Sequence, residues 1–218
     1  MTVKVIIFDF DGTIADTLDA IVSITNRLAL EFGYKQTTLE ELAQLKNLNS
    51  RQIIDQSGIS IFKLPFLIRK VKAELSKEIQ TLNPVSGIKE ALMQLKNQGN
   101  TLGIITSNSK DNVMAFLETN NLQELFNFIY SGTTFGKSKV INKLLKQENI
   151  SPQEVIYVGD ETRDIEAARK SNIKAIAVTW GFNSKQVLAE QNPDFLIHKP
   201  NDLIEVIASL QQAGIPSR

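Results

Sequence analysis

The stretch Val5-Ile6-Ile7-Phe8-Asp9-Phe10-Asp11-Gly12-Thr13 decides the fold. Its first four residues are all large and apolar, which is typical of a strand buried on both faces of a parallel sheet. Two carboxylates follow at the carboxyl end of this strand, where Gly12 marks a turn of the backbone. Because paired charges are costly in such a place, the stretch predicts both a buried strand and a functional site at its end.

Asp9 and Asp11 are two residues apart, and in a strand residues two apart project to the same side. The two carboxylates are therefore expected to address one point at the edge of the sheet. Two like charges that are held close together require a cation or a shared proton. Because the chain has no cysteine and a single histidine, oxygen ligands dominate, and these favour a hard cation, most simply Mg²⁺.

The composition excludes several classes of function. With 218 residues, 42% of them hydrophobic, the chain has room for one ordinary core and a smaller accessory domain, and it is not a disordered chain. Lys and Arg together number 24, as do Asp and Glu, so the chain has no excess positive charge that would attract nucleic acid. An anionic substrate must therefore be bound by individual residues of the site rather than by the overall charge of the protein. The absence of cysteine excludes disulfides, thiolate metal sites and a cysteine nucleophile.

The amino terminus and the hydropathy predict a cytoplasmic protein. Residues 1–4 run directly into the first strand, without a basic leader, an apolar segment and a cleavage site. No apolar run approaches the roughly 18 residues that a membrane span needs. We therefore expect no membrane and no nucleic acid among the partners, and an oligomeric state that is left open between monomer and homodimer.

Between Asp16 and Leu82 the apolar residues recur at helical spacing, and no convincing strand interrupts them. The helices expected there are Leu18–Phe32, Leu39–Leu48, Ser50–Gln56 and Ile61–Leu82. From Ile88 onward short strands alternate with helices, which indicates βαβ units around a parallel sheet. The sequence thus predicts an α/β domain formed by residues 1–15 and 84–218, with an all-helical domain inserted at residues 16–83.

Ligands of such a sheet bind outside the carboxyl ends of its strands, so the residues that follow each strand are the candidates for the site. Lys137 is included because it stands just before the helix predicted at Ser138–Gln147. The candidates on this edge are Asp9, Asp11, Thr13, Thr106, Ser107, Asn108, Lys137, Asp160 and Asp164. Hydroxyls, an amide, a lysine and several carboxylates together predict a site for a metal ion and a phosphate.

The residue types suggest a phosphoryl-transfer reaction. The Asp9 carboxylate can attack phosphorus and form an aspartyl-phosphate, which divides one difficult displacement into two easier ones. Asp11 can protonate the leaving oxygen and then deprotonate the water that hydrolyses the intermediate. Asp160 would complete a magnesium shell with Asp9 and the main-chain carbonyl of Asp11, while Asp164 can bind the ion directly or through water.

The sequence resembles the haloacid dehalogenase-like hydrolase superfamily, and within it the phosphoglycolate phosphatase-like members with an α-helical cap. The resemblance is carried, in the family order, by DFDGT at 9–13, ITSN at 105–108, Lys137 and GDETRD at 159–164. It implies a Rossmann-like parallel sheet with helices on both faces, a mobile cap inserted after the first motif, magnesium dependence and hydrolysis of a phosphate ester. It also implies that Ser107 and the Asn108 backbone amide bind the phosphoryl oxygens, and that Lys137 stabilises the nucleophile and the transferring group.

Several alternatives remain at this point. Lys139 competes with Lys137 for the third motif, and Thr106 competes with Ser107 for the second. Glu161 is interpreted as a solvated charge at a helix start rather than a ligand. A phosphatase acting on a small phosphorylated metabolite, such as a phosphoglycolate-like monoester, is preferred to a phosphomutase of the β-phosphoglucomutase type. A noncatalytic binding protein of the same fold is the third hypothesis.

Overall fold

A six-stranded parallel sheet is the frame of the structure, a computed structural model that describes residues 3–131 and 136–212. The strands are β1 (Val5–Phe8), β2 (Thr101–Ile105), β3 (Phe128–Tyr130), β4 (Val155–Gly159), β5 (Lys174–Val178) and β6 (Phe195–Ile197). The helices are α1 (Leu18–Phe32), α2 (Leu39–Leu45), α3 (Ser50–Ser57), α4 (Leu64–Glu78), α5 (Ile88–Asn97), α6 (Lys110–Thr119), α7 (Lys137–Gln147), α8 (Thr162–Lys170), α9 (Lys185–Glu190) and α10 (Asp202–Gln212). Short 3-10 helices occupy Ile79–Thr81, Gln123–Leu125 and Pro152–Glu154.

The order of the strands is β3-β2-β1-β4-β5-β6, so β1 lies in the middle of the sheet, paired with β2 on one side and β4 on the other. The chain builds one half of the sheet after β1 and then crosses over to build the other half. This is the Rossmann strand order, and its crevice for ligands lies where the strand order reverses. The predicted α/β fold is confirmed, and the reversal places the ends of β1, β2 and β4 side by side.

The first strand is apolar throughout because both of its faces are covered. Ile6 and Phe8 belong to a core cluster on one face of the sheet, while Val5 and Ile7 belong to a second cluster on the other face. Burial of one such side chain stabilises the fold by about 1.5–3 kcal/mol. Hydrophobic packing on both faces of the sheet therefore holds the strand whose carboxyl end carries the candidate site.

Helices α1–α4 all lie between β1 and α5, and the described residues in this stretch contain no strand. The two ends of the inserted segment run beside each other. The Asp16 amide donates to the Asn83 carbonyl at 3.0 Å, and the Val85 amide donates to the Ile14 carbonyl at 2.9 Å. The inserted helical cap is confirmed as part of the fold, while the domain bounds 1–15, 16–83 and 84–218 stay a prediction.

Some element bounds differ from the expectation. Helix α2 ends at Leu45, before Asn49, whose side chain accepts the Gln52 amide and caps the next helix. Helix α4 begins at Leu64 with Pro65 in its first turn, where the missing amide hydrogen is not needed. The prediction that Lys137 precedes its helix is wrong, because Lys137 is the first residue of α7.

No helix in residues 3–131 and 136–212 combines the length and the apolar character that a membrane crossing requires. The cytoplasmic location stays a prediction.

Candidate active site

Three buried carboxylates meet at the carboxyl ends of β1 and β4. Asp9, Asp160 and Asp164 each bring one oxygen into a group whose members all lie within 4.8 Å of one another. Their residues are only 2%, 1% and 1% exposed. The pairing of β1 with β4 explains this meeting, since Asp9 directly follows one strand and Asp160 directly follows the other. We refer to these three side chains as the acidic cluster.

The carboxylate of Asp160 is held in one orientation. The Thr13 hydroxyl donates to its Oδ1 at 2.7 Å, and the Phe182 amide donates to its Oδ2 at 2.8 Å. A Cβ atom on Gly12 would lie 2.4 Å from Asp160 Oδ2, and one on Gly181 would lie 2.3 Å from the same atom. Gly12 also has φ +73°, which favours glycine, so the turn and the close approach both require it. The phosphate contact expected of Thr13 stays a prediction; in the structure its hydroxyl orients Asp160.

Lys137 lies between two members of the acidic cluster. Its Nζ is 2.7 Å from Asp9 Oδ2 and 2.5 Å from Asp164 Oδ1, and it stands over the Tyr157 ring at 5.4 Å from the centroid. Burial disfavours the charged amine, but the carboxylates of Asp164 and Asp9 outweigh burial and raise the pKa of Lys137 well above its usual value. The competing candidate, Lys139, is exposed on the same helix. The geometry thus supports Lys137 as the lysine of the third motif.

Asp164 has a structural role as well as a place in the cluster. Its Oδ2 accepts the Glu161 amide at 3.1 Å, which completes a capping box at the start of α8. Burial, together with Asp9 and Glu161, raises the pKa of Asp164 to about 6. Glu161 stands at a helix start as expected, as the N-cap of α8, but its charge is not solvated: its side chain is 18% exposed and accepts a hydrogen bond from Arg163 Nη2 at 2.8 Å.

Asp11 faces a different partner from Asp9. Strand β1 ends at Phe8, and Asp11 lies in a turn where the amides of Ile14 and Ala15 both donate to the Phe10 carbonyl. The two carboxylates therefore do not share one continuous strand, as the alternation assumed, although Asp9 is near enough for its charge to act on Asp11. The Asn108 amide group donates to both oxygens of Asp11, at 3.0 and 3.1 Å.

Burial and the nearby charge of Asp9 raise the pKa of Asp11 to about 6, although the Asn108 hydrogen bond lowers it. A carboxyl group with such a pKa can both donate and accept a proton near neutral pH.

The two hydroxyl residues that follow β2, Thr106 and Ser107, lie in different surroundings. The Thr106 hydroxyl is fully buried and accepts the Asn108 backbone amide at 3.0 Å. Ser107 is partly exposed and lines the clefts beside Asp11. Ser107 is therefore the better placed hydroxyl for a phosphoryl group. The role expected of the Asn108 backbone amide stays a prediction, since in the structure this amide donates to Thr106.

Comparison with known proteins decides the family. The sequence profile of the family described as haloacid dehalogenase-like hydrolase matches residues 6–178. The chain is 39% identical over 210 residues to the phosphoglycolate phosphatase of Synechococcus elongatus, covering 96% of this chain and 99% of that protein. It is 26% identical over 208 residues to the phosphoglycolate phosphatase of Aquifex aeolicus, covering 94% of this chain and 96% of that protein. The chain belongs to the haloacid dehalogenase-like hydrolases.

A solved structure supports the fold independently. The crystal structure of a protein from Clostridium acetobutylicum, described as a predicted phosphatase, superposes with a TM-score of 0.83 at 22% identity, covering 96% of this chain and all of that one. The resemblance drawn from the four motifs is confirmed, as is the class of enzyme, a phosphatase.

The acidic cluster of this haloacid dehalogenase-like hydrolase fits a divalent cation. Burial, then the charges of Glu161, Asp9 and Asp164, raise the pKa of Asp160 well above its usual value. Among the described residues one cation, Lys137, forms ion pairs with the cluster, to Asp9 and Asp164, while the charge of Arg163 acts on both from further away. Three negative charges thus face a single paired cation, which leaves room for a metal ion's charge. Three carboxylate donors are the ligand type that Mg²⁺ prefers. Among the described residues the cluster does not include the Asp11 carboxylate, so the expected contribution of Asp11 through its main-chain carbonyl stays a prediction.

Two clefts of this hydrolase reach the site from the inserted helices. The larger, of about 740 Å³, lies between the acidic edge and helices α1, α3 and α4, and Asp11, Lys137 and Asp160 line it. The smaller, of about 230 Å³, lies between α1 and α4 beside Asp11 and Ser107. A substrate at the acidic edge would thus contact the cap as well as the sheet.

Two residues that support the surroundings of the site carry no recognisable signal in the sequence. The Trp180 indole donates to the Thr13 carbonyl at 3.2 Å and so supports the turn of the first motif. The Asn183 side-chain amide donates to the carbonyls of Lys46 and Leu48, at 3.1 and 3.0 Å, and thereby joins the segment after β5 to the cap. The only signal was their position after the end of a strand, which does not identify a partner.

Proposed function

We propose that this hydrolase is a magnesium-dependent phosphatase that cleaves a small phosphomonoester, such as a phosphoglycolate-like metabolite, through an aspartyl-phosphate on Asp9. The observation that carries the proposal is the position of the Asp9 carboxylate: it is buried in the acidic cluster, 2.7 Å from Lys137, and its neighbour Asp11 is held by Asn108. The phosphoglycolate phosphatases to which the chain is similar support the substrate class.

In the first step the Asp9 carboxylate oxygen attacks phosphorus, and the bond between phosphorus and the ester oxygen breaks. The Asp11 carboxyl group transfers its proton to the leaving oxygen, which therefore departs as a hydroxyl group rather than as an alkoxide. Lys137 would supply positive charge to the transferring group and the Ser107 hydroxyl would donate a hydrogen bond to it; both residues line the larger cleft. Asn108 keeps the Asp11 carboxyl group in one orientation between the two steps.

In the second step Asp11, now a carboxylate, takes a proton from water while the water oxygen attacks phosphorus. The acyl-phosphate bond breaks, inorganic phosphate leaves, and the Asp9 carboxylate is restored. Asp9, Asp160 and the main-chain carbonyl of Asp11 would hold Mg²⁺, and Asp164 would bind it directly or through water. When it is bound, the ion supplies positive charge that neutralises the phosphoryl oxygens.

The proposal is tested by a screen of phosphorylated metabolites for release of inorganic phosphate with Mg²⁺. We expect turnover of small monoesters, phosphoglycolate among them, and product analysis with a hexose 1-phosphate should show free phosphate rather than an isomer. An isomer as the main product would indicate the phosphomutase instead. Absence of turnover with every ester would leave the noncatalytic hypothesis.

Replacement of Asp11 by Asn should slow both half-reactions by about 10²–10⁴-fold, because the amide can neither donate nor accept the proton. The loss should be larger for an alkyl phosphate than for an aryl phosphate, whose leaving group needs less protonation. The matched control is Asp19→Asn, which changes an exposed carboxylate in the first turn of α1. A rate unchanged for alkyl esters would remove Asp11 from the mechanism.

Removal of divalent cations with a chelator should abolish phosphate release, and added Mg²⁺ should restore it. In Asp160→Asn the Mg²⁺ concentration for half-maximal activity should rise at least about tenfold, because a buried ligand carboxylate is lost. Titration of activity with Mg²⁺ measures this, with Asp111→Asn, an exposed acid at the start of α6, as the control. An identical titration curve for Asp160→Asn would exclude Asp160 as a ligand.

A further inference from the structure

One face of α4 forms a wall of the smaller cleft beside Asp11. The residues of this face recur at helical spacing, and they are Leu67, Ile68, Val71, Lys72 and Leu75. Lys72 is the single charged member of this otherwise apolar face. Across the cleft lie Asp11, Ser107 and Asn108, which belong to the proposed reaction centre. A lysine of the cap thus lines the same small space as the reacting groups.

The other cations of α4 are engaged elsewhere. Arg69 lies over the Phe66 ring at 5.8 Å from its centroid, Lys70 is 3.8 Å from Glu31, and Lys77 is 2.7 Å from Glu74. For the Lys72 ammonium, the described part of the chain supplies neither an ion pair nor a hydrogen bond; the Asp11 charge acts on it from further away. Lys72 is therefore the cation of this helix that is left for a ligand.

The backbone at Lys72 is tied to the reaction centre. The Asn112 side-chain amide donates to the Lys72 carbonyl at 3.1 Å and to Asn108 Oδ1 at 3.0 Å. Asn108 in turn donates to both oxygens of Asp11. One hydrogen-bond network therefore sets the distance between this turn of α4 and the proton-transfer residue. Such a network gives a subsite a defined position relative to the phosphoryl group.

The surroundings of Lys72 favour an anionic ligand. The residue is half-buried against aliphatic side chains, and this burial lowers the pKa of its amine. A partly desolvated cation without a close partner costs free energy, and an anion bound beside it would offset that cost. The cleft of about 230 Å³ suits a small group, and one compact ammonium balances a single negative charge better than a second phosphate.

We infer that Lys72 binds a carboxylate of the substrate and thereby selects phosphate esters of small hydroxy acids. The inference deepens the proposed phosphatase function and rests on it. The phosphoryl group would lie at Asp9 and Ser107, and the carboxylate would lie between Lys72 and the aliphatic face of α4. Lys72 is a specificity-determining residue in this arrangement, because it contacts the substrate away from the reacting atoms.

The test compares two esters that differ in the carboxylate, 2-phosphoglycolate and 2-hydroxyethyl phosphate. We expect the unmodified protein to have a higher kcat/KM for the acid. Lys72→Met should lower the ratio of the two kcat/KM values by about 10- to 100-fold, the effect of losing one charge-assisted hydrogen bond. Lys72→Arg should retain part of the preference, since the charge is kept. Lys70→Met, two residues away and paired with Glu31, should leave the ratio within about twofold.

The outcomes separate the inference from the proposed function. No preference for the acid in the unmodified protein would overturn the inference while the phosphatase stands. An equal or complete loss with both esters in Lys72→Met would also overturn it, because Lys72 would then act on Asp11 or on the fold. Hydrolysis of neither ester, nor of any other phosphomonoester, by the unmodified protein would overturn the proposed function and the inference with it.

Discussion

Asp9→Asn is expected to reduce the release of phosphate from an aryl phosphate by on the order of 10⁴-fold or more. The amide nitrogen and oxygen of Asn are poor nucleophiles, so no aspartyl-phosphate forms and the two-step route is closed. In the structure Asp9 Oδ1 accepts the Phe10 amide at 2.8 Å, so we expect the attack to come from Oδ2, which lies beside Lys137. Steady-state phosphate release measures the loss of turnover, and trapping of the acyl-phosphate measures the loss of the covalent intermediate.

The control for this substitution is again Asp19→Asn, which removes an exposed acid that follows the same motif. It should retain activity within about twofold, since isolated surface charges contribute little. Intact turnover in Asp9→Asn would refute the nucleophile assignment. Loss of phosphate release with continued formation of an acyl-phosphate would place the nucleophile on another carboxylate.

Lys137→Met is expected to impair both catalysis and stability. Removal of the amine leaves Asp9 and Asp164 buried without their shared cation, at a cost of about 3–5 kcal/mol in the free energy of unfolding. The rate should fall by about 10²–10³-fold, the loss seen when one stabilising donor of a transition state is removed. Denaturant unfolding and phosphate release measure the two effects separately.

Lys139→Met provides a matched control, because the same change is made two residues further along α7 at an exposed position. It should change the free energy of unfolding by less than about 0.5 kcal/mol and leave the rate nearly unchanged. The reverse result, with Lys139→Met inactive and Lys137→Met active, would assign the third motif to Lys139. The pair of variants thus decides between the two lysines that the sequence leaves open.

The part of the candidate site that lies at the carboxyl ends of the strands could be predicted from the sequence. Asp9, Ser107 and Asp160 follow β1, β2 and β4, and parallel strands that neighbour each other must present their carboxyl ends together. Lys137 was also expected at this end of the sheet, where it contacts Asp9, although its position relative to the helix was wrong by one residue. The local sequence predicts the first residue of a helix only to within one or two positions, because the same residue can serve either as the cap or as the first residue of the helix.

The partners of these residues could not be predicted in the same way. Glu161 pairs with Arg163, Asn108 holds Asp11, and Trp180 supports the turn at Thr13. Each of these contacts depends on the exact conformation of a turn, or on the side-chain orientation of a residue in a different helix, strand or loop. The geometry that brings Asp9 and Asp11 together could not be predicted for the same reason, since the alternation rule assumed that the strand continues beyond Phe8.

The sequence by itself determined the fold class and the chemistry of the edge, because hydrophobic periodicity and strand-end residues are local properties that survive any detail of packing. Only the tertiary structure decided which carboxylates share Lys137, which hydroxyl faces the cleft, and that Lys72 of the cap lies opposite Asp11. The physical reason is that these relations join residues far apart in the chain. Their distances depend on how the inserted helices pack on the sheet, and no local pattern encodes that packing.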